Sequence, residues 1–158
     1  MRERKLNSRR KKPCCGRDRK KLMRKDKRKL KTRKNDEFSS YWARRCWTEV
    51  RVNALKEAGG KCMVCDKDSG KLDTHHILPR SFYPNFIYCP ENLIILCSSC
   101  HKWSKNSFHK NPFVAVMWLF RNLPKKFYWC ERHKNNFPEE GYRMNHKAEY
   151  AKLFEEKE

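Results

Sequence analysis

The stretch PENLIILCSSCHKW, residues 90–103, decides the fold because it holds three features in direct succession. Its apolar run NLIIL, residues 92–96, is rich in aliphatic side chains and predicts a strand. Cys97 and Cys100 then form a CxxC pair, and the segment SSCHKWSK predicts a short helix that begins with serine caps. This succession favours a small unit built around a metal ion.

A second CxxC pair, Cys62 and Cys65, precedes the first with 31 residues between them. Each pair lets two thiolates approach one ion from a tight turn, and four thiolates with no open position describe a structural zinc site. The intervening segment is long enough to form a hairpin whose ends the zinc holds together. Redox thiols or unrelated buried cysteines are the alternative. Zinc would also supply folding free energy that a small core lacks.

The other cysteines give a different signal. The chain has nine cysteines, and an odd number in a chain with no secretion signal argues against a disulfide framework. The segment PCCG could touch a metal, although adjacent cysteines chelate one ion poorly. We therefore interpret the five cysteines outside the two pairs as free thiols, namely Cys14, Cys15, Cys46, Cys89 and Cys130.

Between the two cysteine pairs, the segment KLDTHHIL, residues 71–78, predicts the first strand of that hairpin. It ends in the adjacent pair His75 and His76. Taken alone, such a pair indicates surface histidines beside a turn. Neighbours on a regular strand also face opposite sides. The two imidazoles can therefore serve one site only if they flank the substrate or the strand is irregular before Pro79.

The order of His75 and His76, then Asn92, then His101, interleaved with the cysteine pairs, resembles the HNH nuclease family. The matching segments are GKCMVC, DTHHILPRS, PENLIILCSSCHKW and the preceding W…RVNALKEAGG, over about residues 42–105. The later segment NPFVAVMWLFRNLPKKFYW is similar to the extension of phage-encoded HNH proteins. The resemblance implies a small α+β fold: a ββα-metal core stapled by a Cys₄ zinc site, flanked by helices.

The resemblance also implies roles for individual residues. His76 would act as the general base on water, because an imidazole with a pKa near 6.5 accepts a proton at neutral pH. His75 and His101 would hold one divalent ion such as Mg²⁺, Mn²⁺ or Ni²⁺, which stabilises charge on the phosphorane. Asn92 would orient the base by hydrogen bonds to the loop between the strands. Consecutive helical residues point about 100° apart, so Cys100 can face zinc while His101 faces the other ion.

The chain departs from the family at the third histidine ligand that some HNH nucleases carry, since that position is Lys105. Substrate phosphate and water would then complete the shell. His109 lies eight residues past His101, about 12 Å along a continuous helix, and could reach the ion only if the helix breaks near Asn106. We favour a phosphate contact or an ordinary surface position for His109.

Charge divides the chain unevenly. The formal net charge is +21, and residues 1–34 hold 19 Lys and Arg against three acids, a net of +16. This arm cannot bury itself, so we expect it to be disordered and to bind nucleic acid. The arm residues expected to contact phosphates are Arg24, Lys25, Lys27, Arg28, Lys29, Lys31, Arg33 and Lys34.

Four parts are therefore expected along the chain. Residues 1–36 form the arm, 37–60 a helix that leads into the core, 61–110 the nuclease core and 111–158 a helical extension. The leading helix has cap candidates at Ser39 and Ser40, an apolar repeat at helical spacing and a stop at Gly59-Gly60. The extension shows helical stretches at 111–123 and 144–158, separated by prolines and a glycine.

The main functional hypothesis is a metal-dependent endonuclease acting on double-stranded DNA. The alternative is a non-catalytic zinc module that holds a basic surface on RNA or DNA, but such a module has no reason to arrange the three histidines and Asn92. No apolar run is long enough for a membrane span and no signal-peptide pattern is present, so we expect a cytoplasmic protein, in a bacterial host cell if it is phage-encoded. No membrane partner or small-molecule cofactor is expected.

Overall fold

The computed structural model describes residues 35–68 and 70–155, so the predicted properties of the basic arm lie outside the described residues. The order of elements confirms a small α+β fold with a two-stranded sheet. The elements are α1 (Ser40–Glu57), β1 (Leu72–His76), β2 (Leu93–Cys97), a π-helical turn (Ser99–Trp103), α2 (Pro112–Asn122), α3 (Pro124–His133) and α4 (His146–Glu155). Two 3₁₀ turns, Pro84–Phe86 and Pro90–Asn92, lie between the strands.

Helix α1 forms where the apolar repeat predicts it. Cys46, Val50 and Ala54, spaced four residues apart, are its buried residues. Ser39 occupies the N-cap position, as expected, although its side chain makes no capping hydrogen bond. The helix ends because Gly59 and Gly60 both adopt positive φ, +61° and +70°, which glycine reaches without strain.

The sheet is a short antiparallel hairpin in which Leu72 pairs with Cys97 and His76 pairs with Leu93. All five residues of β2 are buried, so the strand is covered on both faces. Leu93 and Ile95 belong to a core shared with α1, whereas Ile94 and Leu96 belong to a core shared with α2. Strand alternation therefore places one hydrophobic core on each side of β2.

Two local predictions at the site are corrected. The segment SSCHKWSK forms a five-residue π-helical turn, and the N-cap residue Ser98 makes no side-chain capping hydrogen bond. Asn92 lies in a 3₁₀ turn immediately before β2 and does not begin the strand. The helical turn beside the histidines is therefore shorter than the sequence predicts, and the second strand begins one residue later.

The helical extension contains a helix that the sequence prediction missed. Pro124 is one of the prolines that separate the two predicted helical stretches, but it occupies the first turn of α3, where proline loses no hydrogen bond. Lys126 of α3 is buried, and its ammonium donates to the Pro90 carbonyl at 2.9 Å and pairs with Glu57 at 3.0 Å. This contact holds α3 against the end of α1 and the turn that carries Asn92. Helix α4 packs on α1.

Among residues 35–68 and 70–155, no helix combines the length and the apolar character that a membrane crossing requires.

Candidate metal centres and active site

The four cysteines of the two CxxC pairs converge at one corner of the hairpin. Their sulfur atoms all lie within 4.8 Å of one another, and Cys65 Sγ lies 3.7 Å from Cys97 Sγ. Four sulfurs arranged tetrahedrally, each about 2.3 Å from one zinc ion, would be roughly 3.8 Å apart. The cluster can therefore hold a metal ion, and the separation of Cys65 and Cys97 is close to that of two ligands of one zinc ion.

Backbone contacts shape both turns of this cluster. The amide of Asp66 donates to the Cys62 carbonyl at 2.9 Å, which closes the first turn. The amide of Cys100 points at Cys97 Sγ at 3.5 Å in the second. Burial raises the pKa of the Cys97 thiol, but hydrogen bonds from Cys100, Cys65 and Cys62 outweigh it and lower the pKa to about 7. Cys97 is consequently available as a thiolate, the form that binds metal, near neutral pH.

Three histidines form a second cluster directly beyond Cys100. One ring nitrogen from each of His75, His101 and His109 lies within 4.8 Å of the others. The Nε2 atoms of His101 and His109 are 3.0 Å apart. Two nitrogens at right angles, each about 2.1 Å from one ion, would be separated by roughly 3 Å. The arrangement therefore suits a single divalent ion held on three imidazoles.

His109 reaches the cluster because the π-helical turn ends early. Ser104 is already extended, with φ −68° and ψ 159°, and the chain then folds back. The amide of His109 donates to the His101 carbonyl at 3.2 Å, and the amide of Phe108 donates to the Cys100 carbonyl at 2.9 Å. Phe108 is buried in the core beside α2 and anchors this return. His109 is thus exposed, as a surface position requires, but it also lies beside His101; the phosphate contact stays a prediction.

The surroundings of His75 and His109 favour the neutral imidazole. Burial, together with the charge that His101, His109 and His76 would carry, lowers the pKa of His75 to about 3. Burial also lowers the pKa of His109, and His101 and Lys102 add to that shift. Neutral imidazole is the form that coordinates a metal ion, so little proton competition is expected at neutral pH.

A carboxylate supports the buried member of the cluster. Asp73 Oδ2 lies 3.3 Å from Nδ1 of His101. Asp73 stands two residues before His75 on β1, so both side chains project from the same strand face toward the π-helical turn. A hydrogen bond from Nδ1–H to this carboxylate would leave Nε2 of His101 as the coordinating atom. Sequence reasoning did not single out Asp73.

His76 faces the other side of β1, as strand geometry requires. Its Nε2 lies 3.0 Å from the Ile87 carbonyl in the loop between the strands, and its ring stacks on Trp47 of α1. Burial lowers the pKa of His76; the Ile87 carbonyl opposes that shift, and Arg80 contributes to it. Because a carbonyl accepts only, Nε2 carries the proton and Nδ1 is the basic nitrogen.

Both sides of β1 nevertheless open into one cleft of about 670 Å³. The strand ends at His76, so the opposite-facing His75 and His76 flank the cleft and do not need to share a strand face. Arg80 lines one part of the cleft, and His101, Lys102 and His109 also line it. His75 and His76 therefore line the same cleft from opposite faces of a regular strand. The strand does not need to be irregular before Pro79.

Asn92 is completely buried and spans the base of the loop between the strands. Its Oδ1 accepts from the Leu78 amide at 2.7 Å, while its Nδ2 donates to the carbonyls of Leu78 at 3.2 Å and Phe86 at 3.0 Å. Ile87, whose carbonyl contacts His76, directly follows Phe86. The Asn92 amide thus fixes the loop one residue from the partner of His76, and its orienting role stays a prediction.

Part of this chain is similar to a known protein family. Residues 62–107 match the family model of the HNH endonucleases, which confirms the resemblance for the part of the chain that holds the cysteine cluster and the paired histidines. The match ends before His109 and begins after α1.

One characterised protein is also similar to part of this chain. The Septu protein PtuB of Bacillus thuringiensis is 26% identical over 92 residues, which cover 54% of this chain and 36% of that protein. The chain thus covers little more than a third of this relative's length. No solved structure matches the chain significantly.

Proposed function

We propose that this chain is a metal-dependent endonuclease that hydrolyses phosphodiester bonds of DNA. The HNH domain implies a nucleic-acid substrate and nuclease chemistry. The observation that supports the finer proposal most strongly is the convergence on one cleft of a three-histidine ligand set and the separately held His76. A module that only binds nucleic acid has no use for this arrangement.

The proposed roles follow from the contacts. His75, His101 and His109 would hold one divalent ion that accepts imidazole ligands, such as Mn²⁺ or Ni²⁺, and this ion would supply electrostatic stabilisation of negative charge on the phosphate. Nδ1 of His76 takes the proton of the attacking water, because Nε2 is committed to Ile87. Asn92 keeps that carbonyl in place through its bonds to the loop.

Zinc is the proposed occupant of the cysteine cluster, where it would act in folding and not in chemistry. Four thiolates leave no position for water or substrate. Cys100 and His101 are consecutive, so an ion at the cysteines would also fix the backbone that presents His101 to the cleft. Removal of this ion is expected to cost both stability and activity.

The test is incubation of supercoiled plasmid with full-length protein and Mg²⁺ or Mn²⁺, in parallel with His76→Ala. Loss of the base is expected to slow cleavage by roughly 10²–10⁴-fold, while divalent-ion binding is retained because the three ligands are unchanged. His133→Ala is a suitable control, since His133 stacks on Trp129 of the same helix and does not line the cleft. Plasmid cut equally fast by wild type and His76→Ala would remove this residue from the mechanism. Binding without metal-dependent cleavage by any variant would favour the non-catalytic zinc module.

We further propose that the basic arm supplies affinity for duplex DNA. Each phosphate neutralised contributes roughly −0.9 to the slope of log K against log salt. If five arm residues engage phosphates, deleting residues 1–34 should flatten that slope by about 4 to 5. The measurement is a salt titration of binding to a short duplex without divalent metal. Parallel slopes for the full-length and truncated proteins would assign DNA binding to the compact unit alone.

A further inference from the structure

Trp47 contacts the proposed base from outside the residues that match the family. Its ring lies 5.3 Å from the His76 ring, measured between centroids, with 14° between the planes. This is an offset stack in the range that aromatic pairs prefer. Trp47 belongs to α1, which ends before the HNH match begins at residue 62. It also lines the cleft with His76.

We propose that Trp47 is a positioning residue for His76, setting the plane of the imidazole so that Nδ1 is directed at the attacking water. The proposal rests on the function proposed above. The Ile87 carbonyl defines which nitrogen carries the proton, but one hydrogen bond leaves the ring free to tilt about that contact. The terminal torsion of histidine is also broad and roughly two-fold. A flat indole against one face removes the tilt.

The plane matters because the lone pair of Nδ1 lies in it. A base accepts a proton along that lone pair, so a tilt of the ring misdirects Nδ1 even when Nε2 stays in place. Stacking and the hydrogen bond are therefore complementary constraints. Misplacement of a reacting group by about 1 Å can cost about 100-fold in rate.

The support for Trp47 is itself rigid. Its neighbour Cys46 is completely buried in the core, and Val50 is nearly so. One turn further along α1, the Arg51 guanidinium donates to the Leu72 carbonyl at 2.9 Å. Trp47 and Arg51 are four residues apart, so one face of α1 contacts both ends of β1. The helix face that carries the indole is therefore bonded to the strand that carries His76.

The first experiment measures single-turnover cleavage, with saturating DNA and Mn²⁺, by full-length Trp47→Leu and Trp47→Phe. Leucine keeps an apolar side chain but offers no flat ring, so the rate should fall by roughly tenfold to 100-fold. Phenylalanine restores a flat ring and should recover most of that loss. The affinity for Mn²⁺ and DNA should change little. Trp42→Leu is the matched control, since Trp42 lies on the same helix and contacts Tyr41 and Tyr150.

A double variant distinguishes an effect of Trp47 on His76 from a general loss of structure or stability. If Trp47 acts through His76, Trp47→Leu should slow the wild-type protein but leave the residual rate of His76→Ala unchanged. An equal loss in both backgrounds would overturn the proposal. So would weaker DNA binding with an unchanged cleavage rate, which would make Trp47 a substrate contact.

A second measurement does not depend on activity. Nitrogen-15 NMR of the metal-free protein should show His76 as the single Nε2–H tautomer, with ring protons shifted upfield by the indole. Because the Ile87 carbonyl fixes the tautomer, Trp47→Leu should keep it but broaden the His76 ring resonances as the imidazole samples several planes, and Trp47→Phe should sharpen them again. Equally sharp His76 ring resonances in Trp47→Leu and wild type would overturn the proposal. Absence of cleavage by wild-type protein would instead contradict the proposed function and leave this spectral result to decide the role of Trp47.

Discussion

The cysteine cluster and the histidine cluster lie side by side, yet the chain assembles them differently. The cysteines come from two local turns, each of four residues, so every pair is positioned by its own backbone. The histidines come from a strand, a π-helical turn and a returning loop, and are separated by 26 and 8 residues. Each cysteine pair is positioned by its own turn and the hairpin needs only to bring the two turns together, whereas each histidine comes from a different element.

The surroundings of the two clusters differ in the same sense. The cysteine cluster brings four sulfurs together, and four thiolates around one ion would leave no position open. The histidine cluster lines the cleft and, within the described residues, offers three candidate ligands, with Asp73 behind one of them. The comparison indicates which property decides the role of a metal site. A site with four protein ligands and no open position suits an ion that stabilises the fold, whereas a site with three ligands beside a cleft suits an ion that contacts a substrate.

The largest expected effect is the loss of the cysteine cluster. Cys62→Ser or Cys97→Ser should unfold the central unit, because structural zinc in small domains contributes on the order of 10 kcal/mol at neutral pH. Circular dichroism and elemental analysis for zinc would measure the result, and about one tightly bound zinc per chain is expected in the wild-type protein. Cys89→Ser, outside the cluster, should leave both unchanged. Folded, active protein without zinc would contradict this assignment.

Substitutions in the histidine cluster are expected to have a smaller effect, because these side chains would bind an ion and contribute less to the stability of the fold. His75→Ala, His101→Ala and His109→Ala should each weaken Mn²⁺ binding by at least roughly tenfold, since even supporting changes at metal sites cost 10–100-fold. Calorimetric titration would measure the affinities. Lys105→Ala is the matched control, because Lys105 holds the position at which some family members carry a ligand. Equal Mn²⁺ affinity for His109→Ala and wild type would mean that His109 is an ordinary surface histidine and not a ligand.

The sequence predicted the cysteine cluster and the hairpin well, because both depend on local spacing and alternation. It did not predict the place of His109, which depends on where the π-helical turn ends and on the burial of Phe108. It missed α3 because Pro124 permits a helix start as readily as it ends one. The stack of Trp47 on His76 joins a helix to a strand, and no local pattern records such a pairing.

The smallest expected effect concerns pH. Burial and Arg80 lower the pKa of His76 below its ordinary 6.5. The base acts when neutral, so activity should be lost as pH falls through this lowered pKa, and the acid-side midpoint should lie below pH 6.5. Arg80→Gln removes a positive charge and should move the midpoint upward. Cleavage rates at saturating DNA between pH 5 and 8 would measure it, with Lys105→Gln as the control. A midpoint that moves downward in Arg80→Gln would contradict the electrostatic account.

The buried amide of Asn92 has a consequence for how such a protein can change over generations. Its bonds to Leu78 and Phe86 close the neck of the intervening segment, residues 79–85. The exposed part of this segment, residues 79–82, can be rewritten at little thermodynamic cost while the strands stay in register, whereas Tyr83 is buried and donates to the Lys134 carbonyl. This segment carries Arg80 at the rim of the cleft. Descendants of this chain could therefore acquire new substrate preferences there while inheriting the chemistry intact.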